Sequence, residues 1–265
     1  MKLTLIITTY NWPEALLLVM ESIERQVRQP DELIIADDGS SEETKNLINK
    51  FKKNSDLNIF HSWQEDIGFR AARSRNKAIV KSTGDYIILI DGDTILHTKF
   101  VKDHFDNAEP GCFVQGSRVL LSEKDTKKAL VEKIINFSVF SLGLKNRKNS
   151  IHSKLLSVIF SNKKNNLRGI KTHNVAFYRQ DCLNINGFNN EFVGWGREDS
   201  EFAARLINSG IKRKNVRFNS IQFHLWHNDS SRDLLAKNDA ILEDAVNNSK
   251  KWCIDGMNSI KKNEN

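Results

Sequence analysis

Asp85-Tyr-Ile-Ile-Leu-Ile-Asp-Gly-Asp93 is the stretch that decides the fold of this chain. Its apolar run is short, rich in isoleucine and bounded by charged residues, which predicts one buried β-strand. The run ends in two aspartates that are separated by a single glycine. Two carboxylates at that spacing can share a hard divalent cation, and such a cation can neutralise a diphosphate. Acidic turns are common without any ligand, so the motif gains its weight from its position at a strand end.

Three earlier segments have the same β-rich character. The predicted strands are Leu3–Thr9, Glu32–Asp37 and Leu57–His61. Together with the strand that ends at Asp91 they alternate with helical patterns, in the order βαβαβαβ. This order predicts an α/β fold with a mainly parallel, doubly wound central sheet that is flanked by helices. In such a sheet ligands bind at the carboxyl ends of the strands.

The helical segments carry start signals of their own. Pro13 suits the first position of a helix, where its missing N–H is harmless, and Asn11 is a candidate cap. Ser40 and Glu43 have the spacing of a capping box for the second helix. The segment 69–80 is predicted to form a third, basic helix.

Polar residues close three of the four predicted strands. They are Thr8, Thr9 and Tyr10 after the first strand, Asp37 and Asp38 after the second, and Asp91 and Asp93 after the fourth. Each could be an ordinary turn residue, but their shared edge of the sheet favours a ligand site. The first strand is not followed by a GxGxxG loop, which disfavours a dinucleotide-binding domain.

Composition limits the class of protein. The 265 residues are enough for one large α/β domain, and 39% hydrophobic with 28% charged residues argues against wholesale disorder. Three cysteines without a CxxC pair disfavour a disulfide scaffold or a zinc ribbon and fit a reducing cytoplasm. The first apolar run is too short for a signal-peptide core, and no stretch reaches the length of a membrane span. We therefore expect a cytoplasmic protein, with peripheral contact to the inner face of the cytoplasmic membrane as an open possibility.

The net charge of +7 is local. Residues 121–171 hold twelve Lys or Arg against three acidic residues, a balance of +9, whereas the rest of the chain has a balance of −2. Within this segment, Ala129–Leu144 and Ile151–Phe160 are apolar blocks with basic borders, and the pattern resembles amphipathic helices at a membrane interface. A helical insertion with a solvated basic face explains the same pattern equally well.

A second motif is Gly194-Trp-Gly-Arg-Glu-Asp199, which precedes a helical pattern over residues 202–207. Its glycines allow tight turns, and Trp195 offers a flat apolar face on which a sugar can stack. Glu198 and Asp199 begin the helix, a position that the helix dipole favours without any function.

A third motif is Phe223-His-Leu-Trp-His227, with two histidines after a predicted strand. Histidines at such a position are often ordinary core or surface residues. A neutral imidazole is also a good ligand for a transition metal, and the two aspartates of the Asp91-Gly-Asp93 turn provide none.

Taken in order, the motifs resemble the family-two glycosyltransferases of the GT-A fold. The residues that carry the resemblance are Ile6-Ile-Thr-Thr-Tyr-Asn11, Ile35-Ala-Asp-Asp-Gly-Ser40, Gln64-Glu-Asp-Ile-Gly-Phe69, Ala72-Arg-Ser-Arg-Asn76 and Asp91-Gly-Asp93. The later Gly187-Phe188, Gly194-Trp-Gly-Arg-Glu-Asp199 and His224-Leu-Trp-His227 are similar to the carboxyl half of bacterial chondroitin polymerase modules and of β-1,4-galactosyltransferases.

The resemblance implies a role for each matching residue. The residues near the nucleotide or its diphosphate would be Thr8, Tyr10, Asp37 or Asp38, Asp66, Arg75 and Asp91. The ligands of Mn²⁺ or Mg²⁺ would be Asp93 and His227, with His224 where some relatives have a second ligand. On the acceptor side, Asp199 would be the catalytic base, Glu198 a contact to the acceptor hydroxyl, and Trp195 the sugar platform. Arg197 replaces a commoner glycine, which leaves the acceptor open.

The resemblance further implies an inverting, metal-dependent transfer of a sugar from a UDP-sugar to a glycan or lipid-linked glycan acceptor, in bacterial surface polysaccharide or lipopolysaccharide synthesis. We expect one GT-A domain over 1–265, with a nucleotide-sugar half (1–119), a basic amphipathic insertion (121–171) and an acceptor half (172–265). Two alternatives stay open. A sugar nucleotidyltransferase would need a basic, glycine-rich triphosphate loop, and residues 8–11 do not form one. A basic nucleic-acid-binding protein is disfavoured because the sheet-end motifs are acidic, so we expect no nucleic-acid partner.

Overall fold

The computed structural model describes residues 1–167, 169–228 and 231–263. Arg168, one of the basic residues of the 121–171 segment, lies outside the described residues.

Twelve strands are present in the described part of the chain. They are β1 (Leu3–Thr9), β2 (Glu32–Asp37), β3 (Ile59–Trp63), β4 (Tyr86–Asp91), β5 (Thr94–Leu96), β6 (Cys112–Gln115), β7 (Ser117–Leu121), β8 (Leu144–Lys145), β9 (Asn162–Lys164), β10 (Asn174–Tyr178), β11 (Lys212–Asn215) and β12 (Ile221–His224).

The same ranges contain ten α-helices and a 3-10 turn at Arg147–Ser150. The helices are α1 (Pro13–Glu24), α2 (Glu42–Asn54), α3 (Ala71–Lys81), α4 (Phe100–Asn107), α5 (Glu123–Glu132), α6 (Lys154–Phe160), α7 (Arg179–Asn184), α8 (Glu198–Asn208), α9 (Leu235–Asn247) and α10 (Met257–Asn263).

The central sheet has eight strands in the order β3-β2-β1-β4-β10-β6-β11-β9. Strands β3, β2, β1 and β4 are all parallel, as the βαβαβαβ order predicts. Thr8 pairs with Asp91 of β4, and Thr9 pairs with Asp37 of β2. The polar ends of three strands therefore meet at one edge, and the predicted α/β fold is confirmed.

A smaller sheet, β5-β12-β7-β8, follows directly from the acidic turn after β4. Strand β12 is antiparallel to β5, and His224 pairs with Thr94. The backbone N–H of Leu225 also donates to the carbonyl of Asp93 at 2.9 Å. This register brings a histidine from late in the chain beside the aspartates of the turn.

The core lies on both faces of the central sheet, which is why β1, β2 and β4 are almost continuously apolar. Along β4, Ile88 and Ile90 pack on one side with α1 and α4, while Ile87 and Leu89 pack on the other side with α3 and α8. Helices on both faces are the mark of a doubly wound sheet.

Two predicted helix caps are wrong. The cap of α2 is Ser41 rather than Ser40, and no side-chain bond closes a capping box. Asn11 does not cap α1, whose cap residue is Trp12. Instead the Asn11 side chain accepts from the N–H of Ser41 at 2.8 Å, and the Ser40 hydroxyl accepts from the N–H of Asn11 at 2.9 Å. These polar side chains therefore tie the β1 and β2 loops together.

The predicted helix over Ala129–Leu144 is also wrong. Helix α5 ends at Glu132 because Lys133 adopts a left-handed conformation with φ of 52°. Ile134, Ile135 and Phe137 follow without regular secondary structure and pack against the core beside the smaller sheet. The ring centre of Phe137 lies 5.2 Å from that of Phe223. In the second apolar block the helix is confined to α6, so the segment 121–171 is less helical than its sequence predicts.

Candidate active site

A cavity of about 950 Å³ opens at the carboxyl edge of the central sheet. It brings together most of the residues that the sequence singles out. Those that line it are Thr8, Tyr10, Asp38, Arg75, Asp91, Asp93, Trp195, Glu198, Asp199, His224 and His227. They come from both ends of the chain, so this site exists only once the two halves have folded together.

Asp37 and Asp66 do not line the cavity. Asp37 is fully buried, and its carboxylate accepts from the backbone N–H of Ser40 and contacts Nε2 of His61, each at 2.8 Å. Asp66 accepts from the hydroxyl of Tyr10 at 2.9 Å. Of the two neighbouring aspartates, Asp38 is the one at the cavity, where it accepts from Gln64 and from the N–H of Arg70.

The turn after β4 is tightly fixed. The N–H of Gly92 donates to the carbonyl of Thr8 at 2.7 Å. A Cβ at this glycine would lie 3.0 Å from the Thr9 hydroxyl oxygen and 3.1 Å from the Thr8 carbonyl oxygen. Thr94 closes the turn by donating to the Asp91 carbonyl at 2.7 Å. Because Gly92 has no side chain, the turn after β4 can pack directly against the end of β1, with one aspartate on either side of the glycine.

Asp93, His224 and His227 form a compact group of metal-ligating side chains, with their ligand atoms within 4.8 Å of one another. Nε2 of His227 lies 3.2 Å and Nε2 of His224 lies 3.5 Å from Oδ2 of Asp93. Nδ1 of His227 faces the carbonyl of Asn228 at 2.7 Å, which directs Nε2 toward the aspartate. The second carboxylate oxygen, Oδ1 of Asp93, is buried and has no hydrogen-bond partner among the described residues.

This donor set fits a divalent cation. A buried carboxylate oxygen without a partner is costly, and an ion would satisfy it. Burial alone would raise the pKa of Asp93, but the two imidazoles together outweigh it, so the pKa is lowered and the carboxyl stays ionised. The hydrogen bond to Asp93 raises the pKa of His227 to about 9, so this ring would release a proton when a cation binds. Two imidazoles beside one carboxylate suit a transition metal better than magnesium, which prefers oxygen ligands alone.

Arg75 is the central cation of the cavity floor. It is buried and donates to the Thr8 hydroxyl at 3.1 Å, to Glu198 at 3.2 Å and to Asp91 at 3.4 Å. Burial alone would lower its pKa, but the two carboxylates raise it. For Asp91 burial outweighs the neighbouring charge. It raises the pKa of this carboxyl to about 6, although the charge of Arg75 lowers it. Arg75 therefore links the nucleotide-side turn to the first residue of α8.

Helix α8 carries the two acidic residues at its first turn. The chain enters it through three left-handed residues, Gly194, Gly196 and Arg197, with φ of 77°, 103° and 77°. Asp199 accepts from the N–H of Ser200 at 2.7 Å. Burial, and then the charge of Glu198, raises the pKa of Asp199 to about 7. A carboxylate with that pKa can accept a proton near neutral pH.

The outer wall of the cavity joins α8 to α9. Trp195 is 39% exposed, and the guanidinium of Arg232 lies 5.3 Å from the centre of its ring. Arg197 forms an ion pair with Asp239 of α9. This exposed ion pair adds one side-chain link between the entrance of α8 and α9, which also contact each other through the bond from Asn208 to the Ala245 carbonyl.

Sequence reasoning missed part of the cavity wall. Arg118 and Leu120 of β7, with Lys171 and His173 before β10, line the side that faces the aspartates. Burial lowers the pKa of Arg118, and the charges of Asp93 and Asp91 raise it. The alternation of Arg118 and Leu120 along a strand was the one available signal, since strand residues two apart share a face.

A cavity at the edge of a doubly wound sheet, with a group of metal-ligating side chains on one side and a carboxyl of raised pKa on the other, is the arrangement of a glycosyltransferase of the GT-A fold. Residues 4–183 match the family described as Glycosyl transferase family 2. The chain belongs to this family. Residues 156–228 also match the N-terminal domain of galactosyltransferase.

One curated relative is the chondroitin synthase of Escherichia coli, 27% identical over 237 residues. The match covers 81% of this chain but 33% of that protein, so the chain spans about a third of its relative's length.

Two solved structures share the fold. TarS of S. aureus in complex with UDP-GlcNAc has a TM-score of 0.60 at 15% identity and covers 86% of this chain and 60% of that chain. The mannosyltransferase PcManGT from Pyrobaculum calidifontis, in complex with GDP-Man and Mn²⁺, has a TM-score of 0.58 at 16% identity, with coverages of 84% and 56%. The predicted GT-A fold is thereby confirmed.

Proposed function

We propose that the chain transfers a sugar from a UDP-sugar to a hydroxyl group of a glycan acceptor, with inversion at the anomeric carbon. The observation that carries the proposal is the pairing in one cavity of the Asp93, His224 and His227 group with Asp199. The first can hold a cation against a diphosphate, and the second can accept a proton. Family membership favours this reaction over nucleotidyl transfer.

Asp93 and His227 would hold Mn²⁺ or Mg²⁺, with His224 as a further ligand. The support is the buried Oδ1 of Asp93, which no described residue satisfies, and the orientation of His227 by the Asn228 carbonyl. When bound, the ion supplies positive charge against the diphosphate of the leaving nucleotide. The neighbour PcManGT was solved with Mn²⁺, which supports manganese over magnesium.

On the donor side, Asp38 is the better candidate for a uracil contact than Asp37, because the carboxylate of Asp37 is already engaged away from the cavity. Thr8 and Tyr10 would flank the nucleotide. Asp91 would contact the ribose and belong to the coordination shell of the metal ion. Asp66 would act by orienting Tyr10, because its carboxylate accepts a hydrogen bond from the Tyr10 hydroxyl. The complex of TarS with UDP-GlcNAc supports a UDP-sugar as the donor.

Arg75 would stand close to the diphosphate. It is buried between Asp91 and Glu198, so its charge is fixed in position before the donor arrives. A preorganised cation of this kind stabilises developing negative charge without the cost of reorientation.

On the acceptor side, Asp199 would take the proton as the hydroxyl attacks the anomeric carbon from the face opposite the nucleotide. Its pKa of about 7 suits a general base near neutral pH. Glu198 would contact the acceptor hydroxyl while Arg75 holds its carboxylate at 3.2 Å. Trp195, at the cavity mouth, would stack on the sugar ring.

The chain would form one domain whose halves, 1–119 and 172–265, serve donor and acceptor. Supporting this, the central sheet contains strands from both halves, and β9 of the 121–171 segment pairs with β11. The resemblance to polysaccharide synthases suggests a role in bacterial surface glycan synthesis, with a glycan or lipid-linked glycan as acceptor.

Calorimetric titration of UDP, with and without Mn²⁺, tests the metal site. Asp93→Ala and His227→Ala should remove the manganese-dependent part of UDP binding. Asp106→Ala, on the exposed side of α4, is the matched control and should bind like the parent protein. Unchanged manganese dependence in both cavity variants would contradict the metal assignment.

The segment 121–171 would contact an anionic membrane through α6. This helix turns Ser157 inward and leaves Leu155, Val158 and Ile159 exposed by 71%, 76% and 61%. An apolar helix face beside exposed lysines, here Lys154 and Lys164, is typical of proteins that lie on anionic lipid. None of the described helices has the length and apolar character needed to cross a bilayer.

Sedimentation with vesicles of phosphatidylglycerol and phosphatidylcholine tests this contact. Leu155→Ser combined with Ile159→Ser should weaken vesicle binding by about tenfold or more, a loss of about 1.4 kcal/mol per decade. Val131→Ser, which alters an exposed apolar residue of α5, is the control and should bind normally. Equal binding by both variants would mean that α6 is merely a solvated surface.

A further inference from the structure

A second group of metal-ligating side chains lies outside the cavity. It consists of His97 after β5, Asp103 in α4 and His152 just before α6, and their ligand atoms all lie within 4.8 Å of one another. None of the three lines the catalytic cavity. We propose that His97, Asp103 and His152 bind one divalent transition metal ion of the zinc type.

The contacts in this group are already close. Nε2 of His152 lies 2.9 Å from Oδ2 and 3.2 Å from Oδ1 of Asp103. The rings of His97 and His152 stack with centroids 4.8 Å apart and planes 8° apart. Oδ2 of Asp103 also accepts from the N–H of Ser220 at 3.1 Å, which fixes the direction of the carboxylate.

The burial and the contacts of these ligands suit a metal. Asp103 is buried with 5% exposure, and a metal would compensate its buried charge. Nδ1 of His97 accepts a long hydrogen bond of 3.3 Å from the N–H of Lys99, so the ring is held only loosely by this contact.

Two imidazoles and one carboxylate are a ligand set that zinc accepts, with a water molecule in the fourth position. Magnesium and calcium prefer oxygen ligands and would bind poorly here. A metal lies near the plane of each imidazole that binds it, so one of the two stacked rings must tilt when the ion enters. Loss of the parallel stack is thus part of the proposed binding event.

The ion would fasten the 121–171 segment to the core. His97 and Asp103 belong to the β5–α4 region, whereas His152 directly precedes Ser153, the cap residue of α6. Because the three ligands come from separate parts of the chain, the unfolded protein cannot hold the ion in the same way. Binding should therefore stabilise the folded state. This role does not depend on the transferase reaction.

The test uses tag-free, chelator-treated protein that carries Asp93→Ala and His227→Ala. These two substitutions, called the background below, remove metal binding by the Asp93, His224 and His227 group. Calorimetry with ZnCl₂ should give one equivalent of bound zinc and a raised melting temperature. Adding His152→Gln should weaken zinc binding by tenfold or more, whereas adding His61→Ala, on the edge strand β3, should not. With CoCl₂, the background protein should give the visible absorption of four-coordinate cobalt, and the His152→Gln protein should not.

The absence of zinc binding in the background protein would overturn the proposal. So would undiminished binding after His152→Gln. If His152→Gln does not fold, the cobalt spectrum of the background protein decides, because a six-coordinate, nearly colourless complex would exclude the site. The metal-dependent binding of UDP by the parent protein is a separate measurement, so either proposal can fail alone.

Discussion

Replacement of Asp199 by asparagine should lower turnover strongly and at the same time stabilise the protein. The carboxyl has a pKa of 3.8 in an unfolded chain and about 7 in the folded cavity. The folded state thus holds this proton more tightly than the unfolded state does. The free energy of unfolding that the group contributes therefore falls as the pH rises from about 3.8 to about 7.

The magnitude follows from 1.36 kcal/mol per pKa unit. At pH 8 the ionised Asp199 costs the folded state about 4 kcal/mol, and at pH 5 the cost is about 2 kcal/mol. Asparagine is neutral at both pH values and removes this cost. The variant should therefore gain more stability at pH 8 than at pH 5, with a difference of about 2 to 3 kcal/mol.

Denaturant unfolding at the two pH values measures the stability, and release of UDP from a panel of UDP-sugars with Mn²⁺ measures turnover. Turnover of Asp199→Asn should fall by about two to four decades, the usual contribution of a general base. In the parent protein, turnover should fall tenfold per pH unit below about 7. Asp181→Asn is the control, since burial raises the pKa of this carboxyl too but it lies outside the cavity. Normal turnover in Asp199→Asn, or an equal stability change at both pH values, would refute the reasoning.

Two further substitutions test how the cavity floor is held. Arg75→Met should lower the free energy of unfolding by about 3 kcal/mol, because Asp91 and Glu198 lose their shared cation. An unchanged denaturation midpoint would mean that these two carboxylates do not depend on Arg75 for their stabilisation. Gly92→Ala should cost about 1 to 3 kcal/mol and weaken Mn²⁺-dependent UDP binding, because the new Cβ would lie 3.0 Å from the Thr9 hydroxyl oxygen. Calorimetry of this variant that matches the parent protein would show that the turn has room.

Much of the fold follows from local pattern. The runs that became β1, β2 and β4 are apolar on both faces, and such runs in alternation with helices permit little besides a parallel sheet. The same sheet rule predicts that Thr8, Asp38 and Asp91 share an edge. Strand β3 begins two residues later than predicted, at Ile59, because its position depends on pairing with β2 and not on its own sequence.

Local pattern failed where tertiary contacts decide the conformation. Residues 133–143 belong to an apolar block whose basic borders favoured a helix, but they form none, and Arg25 bonds to the carbonyl of Ile135. The Asn11 side chain was available to cap α1 and instead bonds to the loop after β2. In both cases a partner distant in sequence offered a better contact than the neighbouring turn did.

By itself, the sequence determined the parallel α/β sheet, the acidic turn after β4 and the order of the motifs, because hydrophobic periodicity and turn chemistry are local properties. Only the tertiary structure decided which groups meet. It brings His224 and His227 to Asp93 across 131 and 134 residues of chain. It also turns Asp38 rather than Asp37 toward the cavity and buries Asp199 beside Glu198. Those outcomes depend on strand register and on desolvation, and both arise only when distant segments pack together.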